Sequence, residues 1–317
     1  MTPGLPIRRS RAANGARRPL LLVVSWTNPH DIYNVLTAAP PDARALAAAR
    51  LPSNLVDDLR HKPFPQRHYL EEDQGKPFVG ADREVWRRYR AFYNGLVQTV
   101  DREIGTVLDA LERSDVPPIT VFSTDHGDLG GAHGLPYKGP AMYEEVVRVP
   151  LVISWPGRIR SARSDALVSL IDLLPTLCDL TGVPAANGVD GLSLRPVLEQ
   201  RAGAVREMVF GEYYGKQSWR VPIRMVRTAR WKYVRYLSYG EELYDLDADP
   251  GELRNLAREP SAASAPQRAG VRVGDPGSER TRLARELDDW IRRTGDPFPG
   301  LTTTDRSGRV VATAQIK

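Results

Sequence analysis

Residues 119–124, ITVFST, form a β-branched, apolar run that reads as a buried strand, and the run empties directly into DHGDLGGAHGLPYKGP. Residues 123–140 hold two histidines, two aspartates, five glycines and one lysine in eighteen positions. In an open α/β sheet, ligands gather at the carboxyl ends of the strands, and Asp125 and His126 fall at such an end. The glycines that follow keep the backbone free to fold close to whatever is held there.

The flanking sequence sets that strand in an α/β pattern. PLLLVVSW (19–26) is a near-continuous apolar run, as expected of a parallel strand covered on both faces. Residues 35–80 are proline-rich with no clean period. From Asp82 onward, Trp86, Tyr89, Phe92, Tyr93, Leu96, Val100, Ile104, Val107, Leu108 and Leu111 recur at three- and four-residue steps. That spacing predicts a long amphipathic helix, stopped by Pro117-Pro118. VPLVISW (149–155) gives a further strand, and a helix is expected around Leu170–Leu180. The order predicts an α/β main domain over 19–203, a sheet sandwiched by helices.

Beyond about residue 204 the texture changes. EMVFGEYY, PIRMVRTARWKYVRY and EELYDLD are short runs rich in Val, Tyr and Arg, joined by tight turns. They predict a small antiparallel-sheet subdomain over 204–300, with SERTRLARELDDWIRRTG as a packed helix closed by Gly295. Residues 259–278, rich in Pro, Ala, Ser and Gly, are expected to be a flexible insertion. Residues 1–18 read as a disordered basic lead-in and 301–317 as a tail.

The formal charge of +5 comes from scattered arginines, and no helix-turn-helix, zinc-finger or RNA-recognition pattern accompanies it. A nucleic-acid partner is therefore not expected, whereas a surface tolerant of anionic substrates is. Cys178 is the single cysteine, so no internal disulfide or cysteine metal cluster can form, and its apolar helical setting predicts core packing. No run approaches the length of a membrane span, and the basic lead-in does not read as a signal peptide. As written the chain would be cytoplasmic, with no membrane partner; the compartment and the oligomeric state stay open.

Asp125 and His126 can share a divalent cation, the oxygen suiting calcium, magnesium or manganese and the imidazole leaning toward manganese or zinc. Lys138 would bring a point charge toward an anion held by that cation. His30, on the TNPHD turn after the first apolar run, is placed to protonate a departing alkoxide or phenoxide. Each residue also has an ordinary structural role open to it, Asp125 capping a turn and His30 sitting on a surface turn. His133 either touches substrate or hydrogen-bonds within its loop; His61 and His68 read as surface residues.

Together these segments resemble the sulfatase family of the alkaline-phosphatase-like superfamily. VVSWTNPHDIY is similar to that family's histidine loop, and VDREIGTVLDAL to its long helix. Residues 120–157 are similar to its metal-and-lysine segment. LVSLIDLLPTLCDLTGV, DGLSLRPVL and ELYDLDADPGELRNLA follow in family order, so the likeness runs from about residue 19 to 296. The resemblance implies an alkaline-phosphatase-like fold and hydrolysis of a small anionic sulfate ester. It implies Asp125 and His126 as ligands of a divalent cation, usually calcium, Lys138 on a sulfate oxygen, and His30 on the sulfate and leaving group. Manganese or magnesium are the alternative cations.

The family carries its nucleophile in a C/S-x-P-S-R segment, preceded by an aspartate pair that completes the metal site. Neither pattern occurs in these 317 residues, where Cys178 is followed by DLTG. The resemblance thus covers the later two-thirds of a sulfatase, with the sheet incomplete at its N-terminal side. Two ligands hold a hard cation weakly and the covalent route lacks its nucleophile, so impaired or absent activity is expected. A phosphonate or phosphate ester hydrolase on the same scaffold is the second expectation, and a non-catalytic remnant that binds anionic ligands the third.

Overall fold

The structure, a computed structural model, describes residues 20–113, 117–216, 218–258 and 275–310. Helices α1 (Ala43–Ala48) and α2 (Phe64–Glu72) punctuate the proline-rich stretch, and α3 (Arg83–Glu112) follows. Asp82 caps α3, its carboxylate accepting from the N–H groups of Glu84 and Val85 at 2.9 Å each. Strand β1 (Thr120–Ser123), helix α4 (Glu144–Val147) and strand β2 (Leu151–Ser154) come next, then helices α5 (Leu173–Thr181) and α6 (Arg195–Leu198). Strands β3 (Met208–Lys216), β4 (Trp219–Thr228), β5 (Trp231–Tyr236) and β6 (Gly240–Asp245) precede α7 (Pro276–Thr294), which Gly295 closes in the left-handed conformation.

Strands β3–β6 form an antiparallel meander in sequence order. Its side-chain alternation serves two cores. Val221, Ile223, Met225, Val234, Tyr236 and Tyr244 point to one face, where they meet Tyr69, Leu129, Leu135, Met142 and Tyr143. Val226, Trp231, Tyr233 and Leu243 point to the other and meet Leu283, Leu287 and Ile291 of α7. Arg224, also on the α7 side, forms a bidentate pair with Asp296 at 2.5 and 2.7 Å. The meander and packed helix expected from the sequence are both present.

The first face also carries a buried polar network. Lys232 donates to the Met142 carbonyl at 2.9 Å and pairs with Glu144 at 2.7 Å and Glu252 at 2.8 Å. Lys62 donates to Tyr244 Oη at 2.9 Å and to the Glu252 carbonyl at 2.5 Å. Asn255 accepts from Leu243 N–H at 3.1 Å and donates to the carbonyls of Glu241 and His61. The segment ELYDLDADPGELRNLA is thus a clamp that ties β6 to the loops below the meander.

Three expectations are corrected. Residues 20–26 form no strand, and Leu21 and Val23 are 80% and 78% exposed. Apolar content shows where a strand can be buried, but a strand also needs neighbours for its N–H and C=O groups, and no described segment pairs with this one. Strands β1 and β2, both expected from the sequence, pair antiparallel to each other, Thr120 opposite Ser154. Cys178 is half-buried, not enclosed in a core. His68 is half-buried, set edge-on to Trp219 at 5.1 Å between ring centroids, whereas His61 is exposed as expected. The lead-in, the tail beyond residue 310 and most of the 259–278 insertion lie outside the described residues.

Candidate active site at the end of strand β1

The loop leaving β1 is fastened from both sides. Gly127 N–H donates to the Val146 carbonyl at 2.8 Å, drawing the loop against α4. A β-carbon at Gly127 would lie 1.9 Å from the Glu145 carbonyl oxygen, so only glycine permits this approach. On the other side, Tyr89 of α3 donates to both Asp128 carboxylate oxygens, at 2.9 and 3.1 Å, and accepts from Tyr137 N–H at 2.9 Å. Asp128 also accepts from Gly130 N–H at 2.8 Å. Its carboxyl is pushed up to about 6 by burial, which the Tyr89 and Gly130 hydrogen bonds and the Arg90 and Lys138 charges only partly offset.

These ties deliver Lys138 to the end of β1. Its ammonium lies 2.7 Å from His126 Nε2, and Asp125 Oδ2 lies 3.3 Å from the same nitrogen. Because an ammonium can only donate, Nε2 accepts and the ring proton is assigned to Nδ1, which donates to the Gly127 carbonyl at 2.9 Å. Burial would raise the Asp125 carboxyl, but backbone N–H groups and the Thr124 hydroxyl hold it below its usual range. The three side chains line one cleft of about 1470 Å³ between the β1 loop and the meander.

Among the described residues no group of three or more His, Cys, Asp or Glu side chains is placed to hold a metal. The donors that are present do fit one part of such a site. Asp125 Oδ2 lies 3.3 Å from His126 Nε2, the Lys138 ammonium stands 2.7 Å from that same nitrogen, and the Nδ1–H to carbonyl bond orients the ring as a ligating imidazole requires.

The other two predicted residues stand apart from this trio. His30 is exposed on a 3₁₀ turn and contacts Tyr33, ring centroids 5.1 Å apart; Tyr33 in turn stacks on Tyr137 at 4.3 Å. It therefore reaches Lys138 through two aromatic rings and not directly. His133 is buried outside the cleft lining: Nδ1 lies 2.6 Å from Asp57 Oδ2, Nε2 accepts from Asn54 Nδ2 at 3.2 Å, and the ring stacks on Tyr143 at 3.6 Å. Both ring nitrogens thus face partners 76 and 79 positions away, not partners within the loop that carries His133. Residues not singled out from sequence are Asp128, Tyr89, Tyr33 and Tyr137. The Asp128-x-Gly130 turn was a local signal for the first, while the tyrosines give no signal beyond their apolar periodicity.

A sequence model of the sulfatase family matches residues 11–183, and one described as N-sulphoglucosamine sulphohydrolase, C-terminal, matches residues 131–270. A Δ4,5-hexuronate-2-O-sulfatase of Bacteroides thetaiotaomicron is 30% identical over 303 residues, 91% of this chain and 60% of that protein. A solved 2-O GAG sulfatase superposes with a TM-score of 0.73 at 29% identity, covering 87% of this chain and 60% of the other. A phosphonate monoester hydrolase from Silicibacter pomeroyi superposes at 0.61 and 25% identity, covering 89% and 57%. The chain spans about three-fifths of the length of each of these proteins. Motif order, fold and matches agree that the chain belongs to the sulfatase family.

Proposed function

We propose that this chain carries the anion-holding half of a sulfatase active site, with a small anionic sulfate ester as its ligand and no nucleic-acid or membrane partner. The observation that supports this reading is the meeting of Lys138 Nζ with His126 Nε2 at 2.7 Å beside Asp125 in one cleft. Asp125 and His126 would hold a divalent cation, calcium first and manganese or magnesium as alternatives, which when bound supplies positive charge to the ester oxygens. Lys138 donates to a sulfate oxygen, and His30 gives a proton to the departing oxygen of the alcohol. His133 then serves the loop that carries Lys138, not the substrate. The C/S-x-P-S-R segment is not among these 317 residues, so binding without efficient turnover is the expected behaviour.

Hydrolysis and binding of p-nitrophenyl sulfate, with and without calcium, test the reading together with Lys138→Ala. Binding that needs both calcium and Lys138, with little turnover, supports it; binding indifferent to both overturns it. The likeness to a phosphonate monoester hydrolase favours a second reading, a phosphonate or phosphate ester ligand. Tighter binding of p-nitrophenyl phenylphosphonate than of the sulfate would select that one.

A further inference from the structure

Lys216 ends strand β3 and lines the same cleft as Asp125, His126 and Lys138. Its ammonium donates to Tyr33 Oη at 3.2 Å and to Gln74 Oε1 at 2.5 Å, and lies 5.1 Å from the Tyr33 ring centroid. Both acceptors are neutral. Among the described residues no carboxylate pairs with it; Asp73, the acid nearest in effect, is engaged by Arg306 at 2.6 Å. An ammonium has three N–H donors, so one is left over beyond these two acceptors.

The two cleft amines are mechanically linked. Tyr33, which holds Lys216, stacks on Tyr137 with rings 20° from parallel, and Tyr137 is followed directly by Lys138. Burial lowers the Lys216 pKa and the nearby Lys138 charge lowers it further. The nearby Asp73 carboxylate acts in the opposite sense but is engaged by Arg306. Two cations in one partly buried cleft, neither in a direct ion pair with a carboxylate among the described residues, favour an anion between them.

We propose that Lys216 is a specificity-determining residue that receives a second anionic group, a carboxylate or a further sulfate, on a small ligand whose sulfate ester sits at Lys138. This rests on the reading of Lys138 as the sulfate clamp. The ligand is then a dianion, its second charge met by the C-terminal meander and its ester by the β1 loop. Tyr33 and Gln74 act as positioning residues that hold the amine at the cleft.

Calorimetric titration of the chain in calcium buffer tests this with phenyl sulfate, 3- and 4-carboxyphenyl sulfate, and the matching benzene bis-sulfates. At least one dianion is expected to bind about tenfold tighter than phenyl sulfate, the value of one charge-assisted hydrogen bond. Lys216→Met is expected to bring that ratio to about one with an unchanged Tm, and Lys216→Arg to retain most of it. Whether the carboxylates or the bis-sulfates show the larger ratio identifies the second anion. A ratio near one in the unaltered chain, or a ratio that survives Lys216→Met, overturns the inference. If phenyl sulfate still binds through Lys138 in that case, the proposed function stands; if no sulfate ester binds, both fall.

Discussion

The two sheets of this molecule are built from similar residues and end in different states. In the meander both faces are covered, and Val221, Ile223, Val226, Tyr233, Leu243 and Tyr244 are fully buried. In the β1–β2 ladder, Phe122 and Val152 stand opposite each other with 41% and 56% of their surface exposed. The meander is braced by α7 on one side and by the Lys232 and Lys62 network on the other. The ladder carries the site residues, yet their positions are fixed from α3 and α4 through Tyr89 and the Gly127 N–H. The difference teaches that site geometry here is set by the loop's anchors and not by the strand that leads into it.

The sharpest way to break this contrast is at Lys232. Truncating it leaves the buried Glu252 without its cation and the half-buried Glu144 with Arg227 alone, and Lys232→Ala should cost about 3–5 kcal/mol in urea unfolding. A cost under about 1 kcal/mol would mean that the network does not hold the meander.

Tyr89→Phe should cost about 1–3 kcal/mol, since it strips a hydrogen bond from the half-buried Asp128 and leaves Tyr137 N–H unpaired. It should also weaken anion binding that depends on Lys138, while a matched loss in the meander, such as Val221→Ala at about 2 kcal/mol, should not. Equal effects on binding from both variants would remove the distinction between the regions.

A pH series sharpens it further. The Arg224 guanidinium beside Asp296 holds that carboxyl below its usual range, against the opposing effect of burial. A folded value below the unfolded one makes the pair's stabilisation complete above about pH 4 and lost as pH falls through the lower folded value. Asp296→Asn should flatten the acid limb of the stability curve in that window and leave it unchanged near neutrality in slope. The smallest effect is expected in the ladder, where Val152→Thr should stay within about 0.5 kcal/mol because the side chain is already half in water.

The sequence by itself determined the elements whose signals are local. Helix α3 was legible from its three- and four-residue steps, the meander from short Val- and Tyr-rich runs between turns, and α7 from its period and its closing glycine. The Asp125, His126 and Lys138 trio was legible because strand end, glycines and lysine lie within twenty residues of one another. Tertiary structure alone decided the rest. Whether LLLVVSW becomes a strand depends on hydrogen-bonding neighbours, which apolar content does not report. Whether His133 faces substrate or Asp57 depends on a partner 76 positions away, and Lys216 enters the cleft from 78 positions beyond Lys138. Such long-range meetings are fixed by packing of the meander against the loops, and no local pattern encodes where two distant segments will touch.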